Sequence, residues 1–273
     1  MNTQYARGGT YFHGVFDQYN KSDNKFLNWI VNHPSGHILT NSTANSLSFE
    51  KYSLGSKCVP LRILDETHLI NPRAYFYPKH IIGVERVSGE KNPGKMKSIS
   101  KYDKSHSYLI YDAQNRPEEF IAKNYSKTSN FQILPSVTHE EYYRILNQGE
   151  SILFNRATYE SFGMSTAESL VAGRPVIGIW SEYNNNTHYL IEEIGDELYS
   201  TDKFKVYDSG VVLNNNLTDQ EIAESINLGL NELLKYYNEG DSILGKIFSL
   251  RKKAYSAFVM NKEWIEEFIK WTR

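Results

Sequence analysis

From about residue 107 onward, short apolar runs alternate with amphipathic segments, the pattern of β-α units that feed a parallel sheet. Four runs bounded by Pro, Gly, Asn or Ser predict strands: Tyr108–Tyr111, Phe131–Leu134, Ser151–Phe154 and Pro175–Ile179. Between them, His139–Leu146 and Ser165–Ala172 carry apolar residues at helical spacing and run into Gly149 and Gly173 as stop signals. A further strand is expected at Ile81–Val84, then a loop over Glu85–Pro93 and a helix starting near Gly94. Ser209–Leu213 reads as another strand, after which Thr218-Asp-Gln-Glu221 opens a helix as a capping box.

Upstream of residue 75 the pattern is weaker. Ile38–Ser42 and Val59–Ile63 read as strands and Phe26–Val31 as a helix. Two prolines in Asn71–Pro78 disfavour helix and mark a linker. The stretch Ser242–Arg273 predicts two helices, with Trp264, Phe268 and Trp271 on one face that packs against the body. The chain therefore divides into a small or incomplete N-terminal domain (1–75), a Rossmann-like domain (76–240) and C-terminal helices (241–273).

A chain of 273 residues has room for one large core or two modest ones. Its 40% hydrophobic and 23% charged residues are ordinary for a soluble protein, and no run approaches the roughly 20 apolar residues of a membrane span. The N-terminus lacks the apolar stretch of a secretory signal, so a cytoplasmic location is expected (host cytoplasm if viral). Cys58 is the only cysteine; it excludes a disulfide framework and a cysteine metal site and reads as a buried or inert thiol. A formal charge of −2 gives no global electrostatic reason to bind nucleic acid. The histidines (His13, His33, His37, His68, His80, His106, His139 and His188) show no metal-ligand spacing and are expected to be structural or exposed. Lys91, Lys95, Lys97, Lys101 and Lys104 read as a solvated helix face.

The most informative stretch is Tyr159–Gly178. An apolar strand runs into a Gly-containing loop that opens a helix near Ser165, so backbone N–H groups around Gly163–Thr166 form a helix N-terminus that attracts phosphate. Glu160 precedes the loop and Glu168 lies on the first turns of the helix, so both carboxylates can face one cleft at the carboxyl ends of the strands.

This segment resembles the donor-binding motif of retaining glycosyltransferases of family four: Glu160 and Glu168 match the E-x7-E pattern, and Ser-Phe-Gly-Met and Ala-Glu-Ser-Leu-Val-Ala-Gly-Arg-Pro-Val-Ile match around them. Gly83–Pro93 is similar to the same family's strand-loop motif, with Arg86 and Lys91 at its spacing. The resemblance implies an α/β, GT-B-like fold of two Rossmann-like domains, the N-terminal one reduced. It implies that Arg86 and Lys91 hold the donor diphosphate and stabilise the leaving group without a metal, a role that suits two fixed cations. Glu168 would accept hydrogen bonds from the donor ribose, and Glu160 would contact the transferred sugar. The amides of Phe162, Gly163 and Met164, with Ser165 or Thr166, would take sugar and phosphate oxygens. The strand end Gln132–Val137 would hold the base. Gly9, in Arg7-Gly8-Gly9-Thr10, is similar to the glycine-rich loop that contacts the donor from the first domain. Glu85 departs from the family, which has glycine there.

The implied reaction uses a UDP- or GDP-sugar, no cofactor and no metal. The acceptor is either a glycan, lipid or protein saccharide or a hydroxymethylated or glucosylated DNA base, since Pro175–Leu213 is also similar to the T-even phage DNA glucosyltransferases. The alternative is a donor-binding subunit or inactive nucleotide-sugar-binding module that needs a partner chain. The oligomeric state is not legible.

Overall fold

The structure, a computed structural model, describes residues 62–88, 91–157, 160, 162–182, 187–240, 242–262, 264–266 and 269, with residue 47 and four short strands nearer the start. Those strands are β1 (Gln4–Ala6), β2 (Gly9–Phe12), β3 (Ile38–Thr40) and β4 (Lys57–Cys58). They form one sheet in the order β1-β2-β3-β4, with β1 antiparallel to β2 and the other pairs parallel. The strand expected from Ile38 is present. Of the one expected over Val59–Ile63, only Arg62 and Ile63 are described, and Ile63 makes an isolated parallel bridge to Val259. The helix expected at Phe26–Val31 lies outside the described residues, as do His13, His33, His37, Phe268, Trp271 and the side chain of Cys58.

The main sheet has eight strands: β5 (His80–Glu85), β6 (Ser107–Asp112), β7 (Phe131–Leu134), β8 (Ser151–Asn155), β9 (Val176–Ile179), β10 (Glu197–Ser200), β11 (Phe204–Tyr207) and β12 (Gly210–Leu213). Their order is β10-β11-β12-β9-β8-β5-β6-β7. The six from β12 to β7 run parallel, and β10 and β11 extend the edge antiparallel.

Among the described residues seven helices cover the sheet: α1 (Pro93–Ser100), α2 (Glu118–Asn124), α3 (His139–Gln148), α4 (Met164–Val171), α5 (Thr187–Ile194), α6 (Asp219–Asn238) and α7 (Ile243–Phe258). Strand side chains alternate between two cores, as a period of two requires. Ile81, Ile152, Ile177 and Val211 point to a core shared with Met96 and Ile99 of α1 and Ile226, Leu230 and Leu233 of α6. Ile82, Leu153, Val176 and Val212 point to the other, shared with α3, α4, α5 and the Leu250, Ala254 and Phe258 face of α7.

Local chemistry agrees with these elements. Thr138 and Thr218 make full capping boxes with Glu141 and Glu221. Gly149 ends α3 in the left-handed conformation (φ 75°), where a Cβ would lie 1.9 Å from the Tyr75 carbonyl oxygen. The segment 71–78 has no regular structure and is pinned to the body by Arg174. This fully buried residue donates to the carbonyls of Tyr75 (2.8 Å), Asn147 (2.8 Å) and Arg73 (3.2 Å). After α7 the chain returns to Ile63, upstream of this segment: Ile63 N–H donates to Phe258 O and Met260 N–H to Ile63 O.

The β10–β11 hairpin was not legible in the apolar pattern. Glu197–Ser200 is exposed throughout and carries no alternation, and β11 joins β12 through a two-residue turn that leaves no loop to separate them.

Candidate functional site

In the parallel part of the sheet the chain moves one way from β5, through β6 to β7, and the other way from β8, through β9 to β12. The adjacent strands β5 and β8 are thus a topological switch point, where their carboxyl-end loops diverge and open a crevice. The loop after β5 carries Arg86 and Lys91; the loop after β8 carries Glu160.

Two ion pairs cross this crevice. Lys91 Nζ pairs with Glu160 Oε2, each side chain 16% exposed. Deeper, the fully buried Arg156 pairs with Glu85 at the end of β5. Arg156 Nε also donates to the Asn92 carbonyl at 3.1 Å. Asn92 (φ 48°) is the N-cap of α1, its side chain accepting from Lys95 N–H at 3.2 Å. Burial pushes the Glu85 carboxyl above its ordinary range, opposed by Arg156 and then Lys91. Arg86 is exposed and makes no ion pair among the described residues; next to it, Val87 N–H donates to the buried Asp112 at 3.2 Å, which anchors the loop.

The solvated lysine face is present only in part. Lys91 lies before α1 and is turned onto Glu160, Lys95 is paired with Asp219 (2.5 Å) and Lys97 donates to Ser126 (2.9 Å). Lys101 and Lys104 are exposed.

The N-terminus of α4 faces the same edge. Its N-cap is Gly163 at φ 90°, a conformation that favours glycine and supplies no capping side chain. The first-turn N–H groups of Met164, Ser165 and Thr166 thus have no intrahelical acceptor. Met164 is exposed and Ser165 half-buried, whereas the Phe162 ring is buried edge-on to Phe258 (centroids 6.5 Å apart). Thr166 is buried and accepts from Asn155 Nδ2 at 3.3 Å; the same nitrogen is 3.5 Å from Glu160 Oε2.

Glu168 is buried, 4.0 Å from His139 Nε2, while His139 Nδ1 lies 3.1 Å from Glu66. Burial pushes the Glu168 carboxyl up to about 7, with His139 opposing and Glu66 adding to the shift. His139 is shifted upward, chiefly by its hydrogen bond to Glu66. Tyr142 of α3 donates to the Ser165 carbonyl (3.0 Å) and bonds to Ser169 Oγ (2.8 Å), locking α3 to α4. Val137 packs, half-buried, against the same core. A cleft of about 270 Å3 at the carboxyl ends of β6 and β7 is lined by residues that include Asp112, Arg116, Gln132 and Leu134.

The structure therefore brings Lys91, Glu160, Thr166 and the α4 N-terminus to one crevice, with Glu168 on the same helix beside His139. Gly9 is the first residue of β2, paired with Ala6. Asn155, Arg156 and His139 were missed by sequence reasoning. For Arg156 the signal was Glu85, an acid where the resembled family has glycine and hence in need of a counter-charge. Among the described residues no three His, Cys, Asp or Glu side chains converge to hold a metal ion, and no helix is long and apolar enough to cross a membrane.

The strand order and the crevice at its switch point define an α/β protein of the GT-B glycosyltransferase fold. Solved structures similar to it include the following three. Sucrose-phosphate synthase from Thermosynechococcus elongatus aligns at TM-score 0.65 and 11% identity, over 96% of this chain and 66% of that one. Anabaena HepE, solved in complex with UDP-glucose, aligns at TM-score 0.65 and 12% identity, over 96% of this chain and 72% of that one. A mutant of S. aureus TarM, solved with fondaparinux, alpha-GlcNAc-glycerol and UDP, aligns at TM-score 0.63 and 12% identity, over 97% of this chain and 50% of that one. The chain thus spans about two thirds of the synthase and half of TarM, and at such identities the likeness establishes the fold alone. No family profile matches the chain, and no curated protein matches it by sequence.

Proposed function

We propose that this chain is a retaining glycosyltransferase of the family-four type that moves a sugar from a UDP- or GDP-sugar to an acceptor hydroxyl. The observation that carries the reading is the meeting of Lys91 and Glu160 at the switch point, beside an α4 N-terminus with no capping side chain. An anionic diphosphate entering this crevice takes over Lys91 and the first-turn N–H groups of α4, with Arg86 free to close on it from the exposed loop. Glu160, released from Lys91, is then positioned to accept hydrogen bonds from the hydroxyls of the transferred sugar, and Glu168 from the ribose. The cleft at the ends of β6 and β7 is a seat for the base.

As the glycosidic bond breaks, negative charge grows on the departing diphosphate, and Arg86 and Lys91 stabilise it there without a metal or further cofactor. Attack by the acceptor on the face the diphosphate leaves retains the anomeric configuration. In this reading residues 76–240 are the donor domain, 1–75 a small acceptor-side domain that includes Gly9, and 241–273 a support packed on the body; the protein works in the cytoplasm. HepE with UDP-glucose and TarM with UDP support a uridine nucleotide. The saccharide ligands of TarM support a glycan acceptor over a modified DNA base.

The test is a thermal-shift and product-release screen against UDP-glucose, UDP-GlcNAc, GDP-mannose and the free diphosphates, with and without glycan acceptors and hydroxymethylated DNA. Stabilisation by one donor with acceptor-dependent nucleotide release, and an α-linked product by NMR from an α-linked donor, is the expected result. Stabilisation without release favours a donor-binding subunit that works with a partner chain. No response to any nucleotide refutes the reading.

A further inference from the structure

Glu85 and Arg156 have no part in the scheme above, yet they occupy the centre of the switch point. Arg156 lies just past the end of β8, four residues before Glu160. Its fully buried side chain reaches across to β5, where Nη2 meets Glu85 and Nε donates to the carbonyl of Asn92, the residue after Lys91. Glycine at residue 83 leaves the guanidinium room: a Cβ there would lie 3.0 Å from Arg156 Nη1 and 3.1 Å from Glu85 Oε1, tighter than an ordinary contact. One rigid group therefore fixes the backbone that carries Lys91 against the backbone that carries Glu160.

Stability alone does not account for such a pair, because burying two charges costs desolvation that well-packed apolar residues avoid. Geometry does. A planar guanidinium with directed N–H groups holds two acceptors at set angles, which neither an apolar pair nor a lysine reproduces. The charges also alternate between the strands. The β5 side offers Glu85 and Lys91, and the β8 side Arg156 and Glu160. With Arg156 satisfying Glu85, Lys91 is left to Glu160 and to any anion that displaces it; without Arg156, Glu85 would compete for Lys91.

We propose that Arg156, held on Glu85, is a positioning residue that sets the spacing of Lys91 and Glu160 and thereby the fit of a nucleoside diphosphate between them. The proposal rests on the donor-binding reading above. Its test uses the full chain and three variants: Arg156→Lys, which keeps the charge but not the fork, Glu85→Gln, and the apolar double replacement Glu85→Leu with Arg156→Met. Melting temperature, the Kd of UDP, donor KM and kcat, and the acylation rate of Lys91 without ligand are measured for each.

The double variant is expected to melt near wild type, yet to show a UDP Kd and donor KM raised tenfold or more, with kcat changed less. Arg156→Lys is expected to fall between the two, and it carries the same test if the double variant does not fold. Acylation of Lys91 is expected to rise severalfold in the double variant, because the Lys91–Glu160 pair is no longer held in register. A stable variant with wild-type Kd and KM overturns the proposal. If wild type binds no nucleotide, the donor-binding reading has failed, and the Lys91 rate decides the positioning role alone: an unchanged rate overturns it.

Discussion

Lys91 and Glu160 meet side chain to side chain across the carboxyl ends of β5 and β8, so the cation suited to a diphosphate is held by an acid from the opposite loop. Binding an anion there means exchanging one partner for another, and the two halves of the pair should respond with opposite sign. Lys91→Met removes a charge-assisted contact of about 1.5–3 kcal/mol and should weaken UDP or GDP binding by roughly 10- to 100-fold. Glu160→Gln removes the competitor and should tighten free diphosphate binding severalfold while slowing sugar transfer. Titration calorimetry on both variants reads this directly. Equal losses in both would mean that Glu160 is not displaced by the ligand.

Gly149 is expected to tolerate no side chain. Its φ of 75° costs an alanine about 1–2 kcal/mol, and the added Cβ would meet the Tyr75 carbonyl oxygen at 1.9 Å. Gly149→Ala should therefore destabilise the protein by about 2–4 kcal/mol and lower Tm by roughly 5–10 °C. A melt within 2 °C of wild type, a margin of about 1 kcal/mol, would show that segment 71–78 is not packed on α3 as described.

Arg174 is the fold's other fixed point. Burial pushes its guanidinium down to about 10, and its three carbonyl partners tie residues 73–75 to the end of α3. Arg174→Met fills the space but leaves the Tyr75 carbonyl without its donor, a loss of about 3 kcal/mol. Cleavage within 71–78 by a dilute protease should rise together with the loss of stability. Destabilisation with the segment still protected would place the role of Arg174 in the core instead.

The strands β5 to β9 and β12, and helices α3, α4 and α6, were legible because each carries its signal locally: an apolar run between breakers for the strands, apolar helical spacing ending at a glycine for α3 and α4, and a capping Thr three residues before Glu for α6. The crevice was legible only as a motif. That Glu160 and Glu168 share a loop and a helix follows from spacing, but that Glu160 points at Lys91 while Glu168 points at His139 and Glu66 depends on how α3 packs on α4. Spacing does not encode that packing. Arg156 was missed for a related reason, since a lone arginine after a strand reads as surface until Glu85 on β5 is matched to it.

Glu168 should make stability and donor binding move in opposite directions with pH. Its carboxyl is raised from an ordinary 4.5 to about 7 in the fold, so the folded state holds the proton more tightly than the unfolded chain. The folding contribution is then fully present below about pH 4.5 and is lost as pH rises through 7. A rise from 4.5 to about 7 corresponds to an upper bound of about 3 kcal/mol. Glu168→Gln should consequently be more stable than wild type by about 1–3 kcal/mol at pH 8 and no different near pH 4. Accepting hydrogen bonds from both ribose hydroxyls requires the ionised carboxylate. Wild-type affinity for a UDP-sugar, whose diphosphate diester does not titrate near neutrality, should thus rise by up to about tenfold from pH 6 to pH 8. Glu168→Gln should bind weakly and without that slope. Paired urea melts and calorimetric titrations at pH 6, 7 and 8 separate the two effects. A pH-dependent stability gain without any change in donor affinity would remove Glu168 from the ribose site while leaving its burial as the cause of the shift.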